Sequence, residues 1–122
     1  MIEGGTDGEG NAMARFVTIG YGDEAGYEAT AAEVRDAAHA HDARLAQEAV
    51  TMGIAGTPVQ VRNHDAAGVQ TREGPFLRSS LPVAGFAVIE ADSLADAVDI
   101  ASRTPCAVAQ GVVEVWPLDP SG

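Results

Sequence analysis

The sequence predicts a single α+β domain, and two observations lead to this prediction. Segments rich in β-branched and aromatic residues, which are typical of strands, alternate with two segments that carry apolar residues at helical spacing. The chain has 122 residues, of which 46% are hydrophobic, and this is enough for one core but not for two. With three phenylalanines, two tyrosines and one tryptophan, the core has to consist mainly of aliphatic side chains.

The order of the predicted elements indicates a ferredoxin-like topology. Strands are predicted at 15–21, 49–54, 57–62, 69–71, 84–90 and 111–116, and helices at 30–49 and 93–104. The third and fourth strands flank a turn and form a hairpin, in which Val59 and Val61 are expected to point inward, and Pro117 closes the last strand. One helix follows the first strand and the other precedes the last, which is the split βαβ pattern. We therefore expect an antiparallel sheet of four or five strands with both helices on one face.

Each predicted helix has a start signal and an apolar stripe. Thr30 with Glu33, and Ser93 with Asp96, form capping boxes in which the hydroxyl accepts a hydrogen bond from the later backbone N–H. Pro105 is expected to end the second helix, because its ring cannot continue the helical ladder. The inward positions are expected to be Val34, Ala38, His41 and Leu45 in the first helix and Leu94, Ala97, Val98 and Ala101 in the second.

Charge and composition exclude several classes of function. There are 18 Asp and Glu residues against 7 Lys and Arg, and the net charge of −11 disfavours binding to nucleic acid. No segment approaches the roughly 18 apolar residues of a membrane span, and no signal peptide is evident, so we expect a cytoplasmic protein without membrane contact. The single cysteine excludes an internal disulfide and a thiolate metal cluster, and neither a metal nor a cofactor is expected. Residues 1–12 are predicted to be a disordered tail ahead of a domain at 13–120.

The pattern of the strands predicts a homodimer. Segments 16–21, 84–90 and 112–116 carry apolar residues at both alternations. Helices on one side cover only one face of the sheet, so we expect a second copy of the chain to bury the other face.

Five segments, in order along the chain, resemble motifs of the YCII-related (DGPF-domain) family. They are YGDE at 21–24, EGPF at 73–76 with Glu in place of the family's Asp, GFAVIE at 85–90, ADSL at 91–94 followed by Ala97, and GVVEVWPL at 111–118. The resemblance implies a dimeric α/β barrel, in which two ferredoxin-like sheets pack face to face. It also implies that some relatives are suspected enzymes with a His–Asp pair, while others accompany extracytoplasmic-function sigma factors.

His41 is the leading candidate for chemistry. It falls on the inward stripe of the first helix, and imidazole titrates near neutrality. The segment HDARL at 41–45 also resembles the H-x-x-R-L stretch of small YCII proteins, in which the histidine is the proposed catalytic base. The aspartate that small YCII proteins carry as its partner is missing from the corresponding place, after Pro58, so Asp23 or Glu73 would have to substitute for it. The alternative is a histidine that hydrogen-bonds a backbone carbonyl at the edge of the core.

The remaining candidates are assigned by position. Arg78, Phe76 and Tyr21 are predicted to contact a small-molecule ligand. His39 lies about 200° around the helix from His41 and is expected to face solvent, so the two cannot chelate a metal. Cys106 has no basic group nearby in sequence and is expected to be a packing residue.

Three functions fit these observations. The first is a small-molecule enzyme or binding protein that uses His41 as an acid–base group in a cleft between the first helix and the sheet. The second is a non-catalytic dimeric module that regulates a partner, such as a transcription factor. The third is a haem- or quinol-handling monooxygenase of the dimeric barrel type, which the shortage of aromatic residues disfavours.

Overall fold

The structure is a computed structural model that describes residues 14–118. The expectation of a disordered tail at 1–12 lies outside the described residues. The elements are, in chain order, β1 (Ala14–Tyr21), α1 (Glu24–Glu28), α2 (Ala32–Glu48), β2 (Thr51–Ile54), β3 (Val59–Arg62), β4 (Gln70–Glu73), β5 (Val83–Ala91), α3 (Leu94–Ala101), α4 (Pro105–Val108) and β6 (Val112–Leu118). A short 3-10 turn at His64–Ala66 lies between β3 and β4.

Four of the strands form one antiparallel sheet in the order β2-β5-β1-β6. Counted without the β3–β4 hairpin, this is the order of a ferredoxin-like fold, and the predicted α+β class is confirmed. The hairpin does not join the sheet but forms a two-stranded ribbon of its own. The prediction that Val59 and Val61 point inward is therefore wrong, and the two residues are 57% and 66% exposed.

The core lies between one face of the sheet and helices α2 and α3. Leu45 of α2 and Ala97 of α3 pack against the same strand residues, so both helices cover the same face, as predicted. The cluster consists of Phe16, Leu45, Ala87, Ile89, Ala91 and Ala97. The cluster contains several alanines, whose short side chains let the helices lie close to the sheet. Each helix therefore buries a narrower apolar stripe than the sequence predicts. Val34, Leu94 and Val98, which were expected to face inward, are exposed.

The first predicted capping box does not form. Helix α1 has no counterpart among the predicted elements. It begins after Asp23, whose Oδ1 accepts a hydrogen bond from the Gly26 N–H at 2.8 Å. Thr30 Oγ1 donates to the Gly26 carbonyl at 2.9 Å, so its hydroxyl caps the end of α1 and not the start of α2. Helix α2 begins after Ala31, without a side-chain cap.

The second predicted helix corresponds to α3, and it starts as predicted. Pro105 and Pro117 have other positions in the elements than the sequence predicts. Ser93 Oγ accepts from the Asp96 N–H at 3.1 Å and caps α3. Pro105 opens a further short helix, α4, where its missing N–H and fixed φ suit the first helical turn. Pro117 lies within β6 because β6 is an edge strand, where a residue without an N–H is tolerated.

Candidate functional site

The structure places His41 against a backbone carbonyl. Its Nε2 lies 2.9 Å from the carbonyl oxygen of Ile100, near the end of α3, and the ring is half-buried. Because a carbonyl only accepts, Nε2 is the donor, and in the neutral ring this leaves Nδ1 as the acceptor. This geometry matches the alternative described above for His41. It fixes the ring, and the predicted catalytic role of His41 stays a prediction.

Neither proposed acidic partner forms a hydrogen bond with His41 within residues 14–118. Asp23 caps α1, and Glu73 lies exposed at the end of β4 in the separate hairpin. The carboxyl that interacts electrostatically with His41 belongs instead to the next residue, Asp42.

Asp42 lies in a cleft of about 380 Å³ between α2, α4 and the sheet. The walls are mainly apolar and include Leu45, Met52, Ala87 and Val113. Polar groups are few and include Thr18, His39 and Thr104 besides Asp42 itself. Burial raises the pKa of the Asp42 carboxyl, and the nearby positive charges of His41 and His39 act in the opposite direction.

His39 also lines this cleft, although it was expected only to face solvent. Its ring is exposed, and its Nε2 is joined to Tyr27 Oη by a hydrogen bond of 2.9 Å. The Arg35 guanidinium carbon lies 4.6 Å from the centre of the Tyr27 ring, in a cation–π contact. The signal in the sequence was the spacing of His39 and Asp42, because residues three apart on a helix are neighbours.

Cys106 forms part of the cleft wall next to β1. Burial raises the pKa of its thiol, and the Asp42 carboxylate raises it further, so the group stays a thiol at neutral pH. Gly20 accommodates the sulfur, because a Cβ at that position would lie 2.9 Å from Cys106 Sγ. Both observations agree with the predicted packing role.

Tyr21 lies away from this cleft, on the open face of the sheet. Its hydroxyl donates to Glu114 Oε1 at 2.7 Å, and Trp116 Nε1 donates to the same oxygen at 3.3 Å. Burial, together with the hydrogen bond to Glu114, raises the pKa of Tyr21 to about 12. Tyr21 is therefore tied into a polar cluster on the face that the helices leave uncovered.

The other two predicted ligand contacts, Phe76 and Arg78, belong to a second cleft. It has a volume of about 750 Å³ and lies between the β3–β4 hairpin and the segment that follows it. Gln60, Arg62 and Arg72 of the hairpin complete its polar wall. None of the six predicted site residues lines the Asp42 cleft. The structure separates them among the end of α3, the cap of α1, the open sheet face and the hairpin with its cleft.

The comparisons with known proteins point to one family. The model of the YCII-related domain matches residues 14–120. A comparison with curated proteins finds no match. Among the described residues, no helix is both long and apolar enough to cross a membrane, and no three His, Cys, Asp or Glu side chains come together as a metal site would require. The match covers most of the chain and agrees with the ferredoxin-like strand order, and the protein belongs to the YCII-related family.

Proposed function

We propose that this protein binds a small, largely apolar molecule in the cleft between α2, α4 and the sheet, and transfers a proton to or from it. Asp42 is the proposed group that contacts the ligand, and His41 and His39 are the proposed basic groups beside it. The observation that carries the proposal is a carboxyl group in a cleft whose walls are otherwise mainly apolar.

The position of Asp42 favours acid–base chemistry for a physical reason. A carboxylate that loses water to apolar walls becomes a stronger base, and its raised pKa brings it closer to the pH at which proton transfer is efficient. The apolar walls supply binding energy that does not depend on the charge state of the carboxyl.

His41 fits this proposal as the group that exchanges the proton with Asp42 or with solvent. Its Nε2–H is held by the Ile100 carbonyl, so the ring orientation is fixed before a ligand arrives. Asp42 feels the charge of His41 more strongly than that of His39. Protonation of His41 therefore stabilises the Asp42 carboxylate, and loss of that proton favours the neutral carboxyl.

A proton-abstraction probe tests the proposal without knowledge of the natural substrate. A base removes the ring C–H proton of 5-nitrobenzisoxazole while its N–O bond breaks, and the coloured cyanophenolate product is followed by absorbance. We expect wild-type protein to accelerate the reaction and Asp42→Asn to lower that rate by about 10²–10⁴-fold. Asp36→Asn, on the exposed side of the same helix, is the matched control and should leave the rate unchanged. Equal rates for wild type and Asp42→Asn would refute the proposal.

We also propose that the protein is a homodimer that buries the open face of the sheet. Val17, Val88 and Trp116 are in register on that face, opposite the face that carries Phe16 and Ile89. Phe86 and Trp116 are 49% and 54% exposed in the single chain. Exposed aromatic side chains on one surface are typical of a protein–protein interface. A second copy presents the same aliphatic and aromatic side chains around a two-fold axis.

Sedimentation analysis at micromolar concentration tests the dimer. Phe86→Asp should give monomers, because each copy would place a charge in the buried interface. Val61→Asp introduces the same charge on the hairpin and should leave the dimer intact. A wild-type protein that sediments as a monomer would contradict this proposal. The cytoplasmic location expected from the sequence stays a prediction.

A second candidate function is a non-catalytic regulatory or interaction module. The observation that favours it is the outer face of the hairpin, where Val59 and Val61 are exposed outside the proposed dimer surface. The resemblance to relatives that accompany sigma factors suggests a transcriptional partner. If this function is correct, Val61→Asp should abolish binding of the partner and Asp42→Asn should not. The enzyme proposal expects the reverse, namely that Asp42→Asn abolishes the function and Val61→Asp does not.

A further inference from the structure

We propose that the cleft between the β3–β4 hairpin and residues 75–79 binds a small anion that carries a carboxylate or phosphate on a flat apolar body. This cleft shares no lining residue with the Asp42 cleft. The proposal therefore stands independently of the proton-transfer function.

The first observation is the concentration of positive charge. The chain has a net charge of −11 and only seven basic residues, all of them arginines. Three of those seven, Arg62, Arg72 and Arg78, line this one cleft, and among the residues described no carboxylate lines it. On a protein that is acidic overall, positive charge gathered at one place makes a local positive potential that attracts anions.

The strand register explains how the arginines come together. Gln60 pairs with Arg72 and Arg62 pairs with Gln70, so these side chains share one face of the hairpin. Glu73 pairs with Val59 and therefore lies on the opposite face. The alternation of the strand thus places the Glu73 carboxylate on the face opposite to the arginines.

Arg62 is held in position by a short chain of hydrogen bonds. Its Nη2 donates to Gln60 Oε1 at 2.9 Å, and Gln60 Nε2 donates to the Gly74 carbonyl at 3.1 Å. Gly74 adopts a φ of 108°, which glycine tolerates and other residues rarely do. A guanidinium that is already ordered loses less entropy when it binds an anion.

The arginines of this cleft are not engaged in ion pairs, unlike two arginines elsewhere in the chain. Arg15 pairs with Glu90 and Arg103 pairs with Asp99 on the surface. Within residues 14–118, Arg62, Arg72 and Arg78 form no ion pair. Their guanidinium groups therefore offer donors in the fork geometry that suits carboxylate and phosphate oxygens.

Phe76 indicates the second part of the ligand. Its ring is 76% exposed and lies 5.6 Å from the Arg62 guanidinium carbon. An exposed aromatic ring beside a cation offers a flat apolar surface for stacking, next to donors for the anionic group. The combination favours an anion attached to an aromatic or similarly flat body over a simple inorganic ion.

Titration with three compounds that share a phenyl ring tests the site. Phenyl phosphate and benzoate carry the two anionic groups, and phenol supplies the ring without a strong anion. We expect both anions to shift the backbone amide NMR signals of residues 60–62 and 72–79 at neutral pH, with much weaker shifts for phenol. Added salt should weaken the anion binding, because screening acts on charges at an open surface.

Matched variants decide whether the arginines are responsible. Arg72→Gln should weaken phenyl phosphate binding about tenfold, the low end of the range for a charge-assisted hydrogen bond. Arg44→Gln, on the exposed side of α2, makes the same charge change elsewhere and should leave the affinity unchanged. Phe76→Leu should weaken binding of phenyl phosphate but not of inorganic phosphate.

Several outcomes would overturn the proposal. They are no shift at millimolar phenyl phosphate, equal shifts with phenol, or equal losses of affinity for Arg72→Gln and Arg44→Gln. A further contrary result is a change of the same amide signals with protein concentration that anions do not compete with, since the cleft would then be an interface between copies of the chain.

Discussion

Gly20 and Cys106 form one wall of the Asp42 cleft, and their contact allows a quantitative test of the packing there. A Cβ at position 20 would lie 2.9 Å from Cys106 Sγ and 3.3 Å from Cys106 Cβ. The first distance is about 0.5 Å short of ordinary contact, which begins at 3.4 Å. Gly20→Ala should therefore destabilise the fold by about 1–3 kcal/mol, as overpacking of a tight site does.

Cys106→Ala removes the sulfur that causes this overlap. Alone, it should cost about 1 kcal/mol, because it deletes one half-buried atom the size of a methylene group. In the double variant the new methyl group occupies space that the sulfur has left, and it should recover about 1–2 kcal/mol relative to additive behaviour.

Urea-induced unfolding, followed by circular dichroism, measures the four free energies of this double-mutant cycle. The wild type, the two single variants and the double variant should show equal slopes against urea if the unfolding stays two-state. Additivity of the two single changes to within about 0.5 kcal/mol would refute the close contact between Gly20 and Cys106.

Three further predictions concern the titratable groups. His41→Asn should lower the rate with 5-nitrobenzisoxazole by about 10²–10⁴-fold while circular dichroism shows an intact fold, and an unchanged rate would exclude His41 from the chemistry. The pKa of Asp42 is raised by folding, so its contribution to stability is present below its unfolded pKa and is lost as pH rises through the folded value. Asp42→Asn should therefore unfold at higher urea than wild type at pH 7, with the difference vanishing in acid. Because the pKa of Tyr21 is raised to about 12, wild-type stability should fall as pH rises above about 10. Tyr21→Phe should show a weaker fall, and parallel curves for the two proteins would contradict the assignment.

The sheet was the part of the fold that the sequence predicted best. Its strands are long and β-branched, and the order of helices among them leaves few alternatives. The position of the hairpin was harder to predict. A strand with the alternating sequence VQVR at 59–62 has one apolar and one polar face whether or not the ribbon joins the sheet. The structure shows that the valines face outward, because the β3–β4 ribbon does not pair with the four-stranded sheet and both valines are exposed.

The helix starts depended on contacts that periodicity does not contain. Thr30 has the residues of a capping box around it, but its hydroxyl bonds the Gly26 carbonyl because α1 ends there. A helix of five residues is too short to show a helical period of apolar residues. The one signal in the sequence for α1 is therefore Asp23, a residue type that commonly caps helices. Ser93 has no such competing helix before it, and its predicted cap formed.

The candidate site shows the limit of the helical period most clearly. Ala38 and Leu45 are the buried anchors of α2, and His41 and Asp42 stand three and four residues after Ala38. Both positions lie on the inner side of the helix, about 100° apart, so spacing alone cannot say which one enters a cleft. The elements packed around the helix decide which of the two side chains enters the cleft. The end of α3 presents the Ile100 carbonyl to His41, whereas α4 and the sheet leave a space in front of Asp42. The chemistry inferred for this helix therefore depends on where α3 ends and α4 begins. Helix α3 ends at Ala101, and Pro105 occupies the first position of α4.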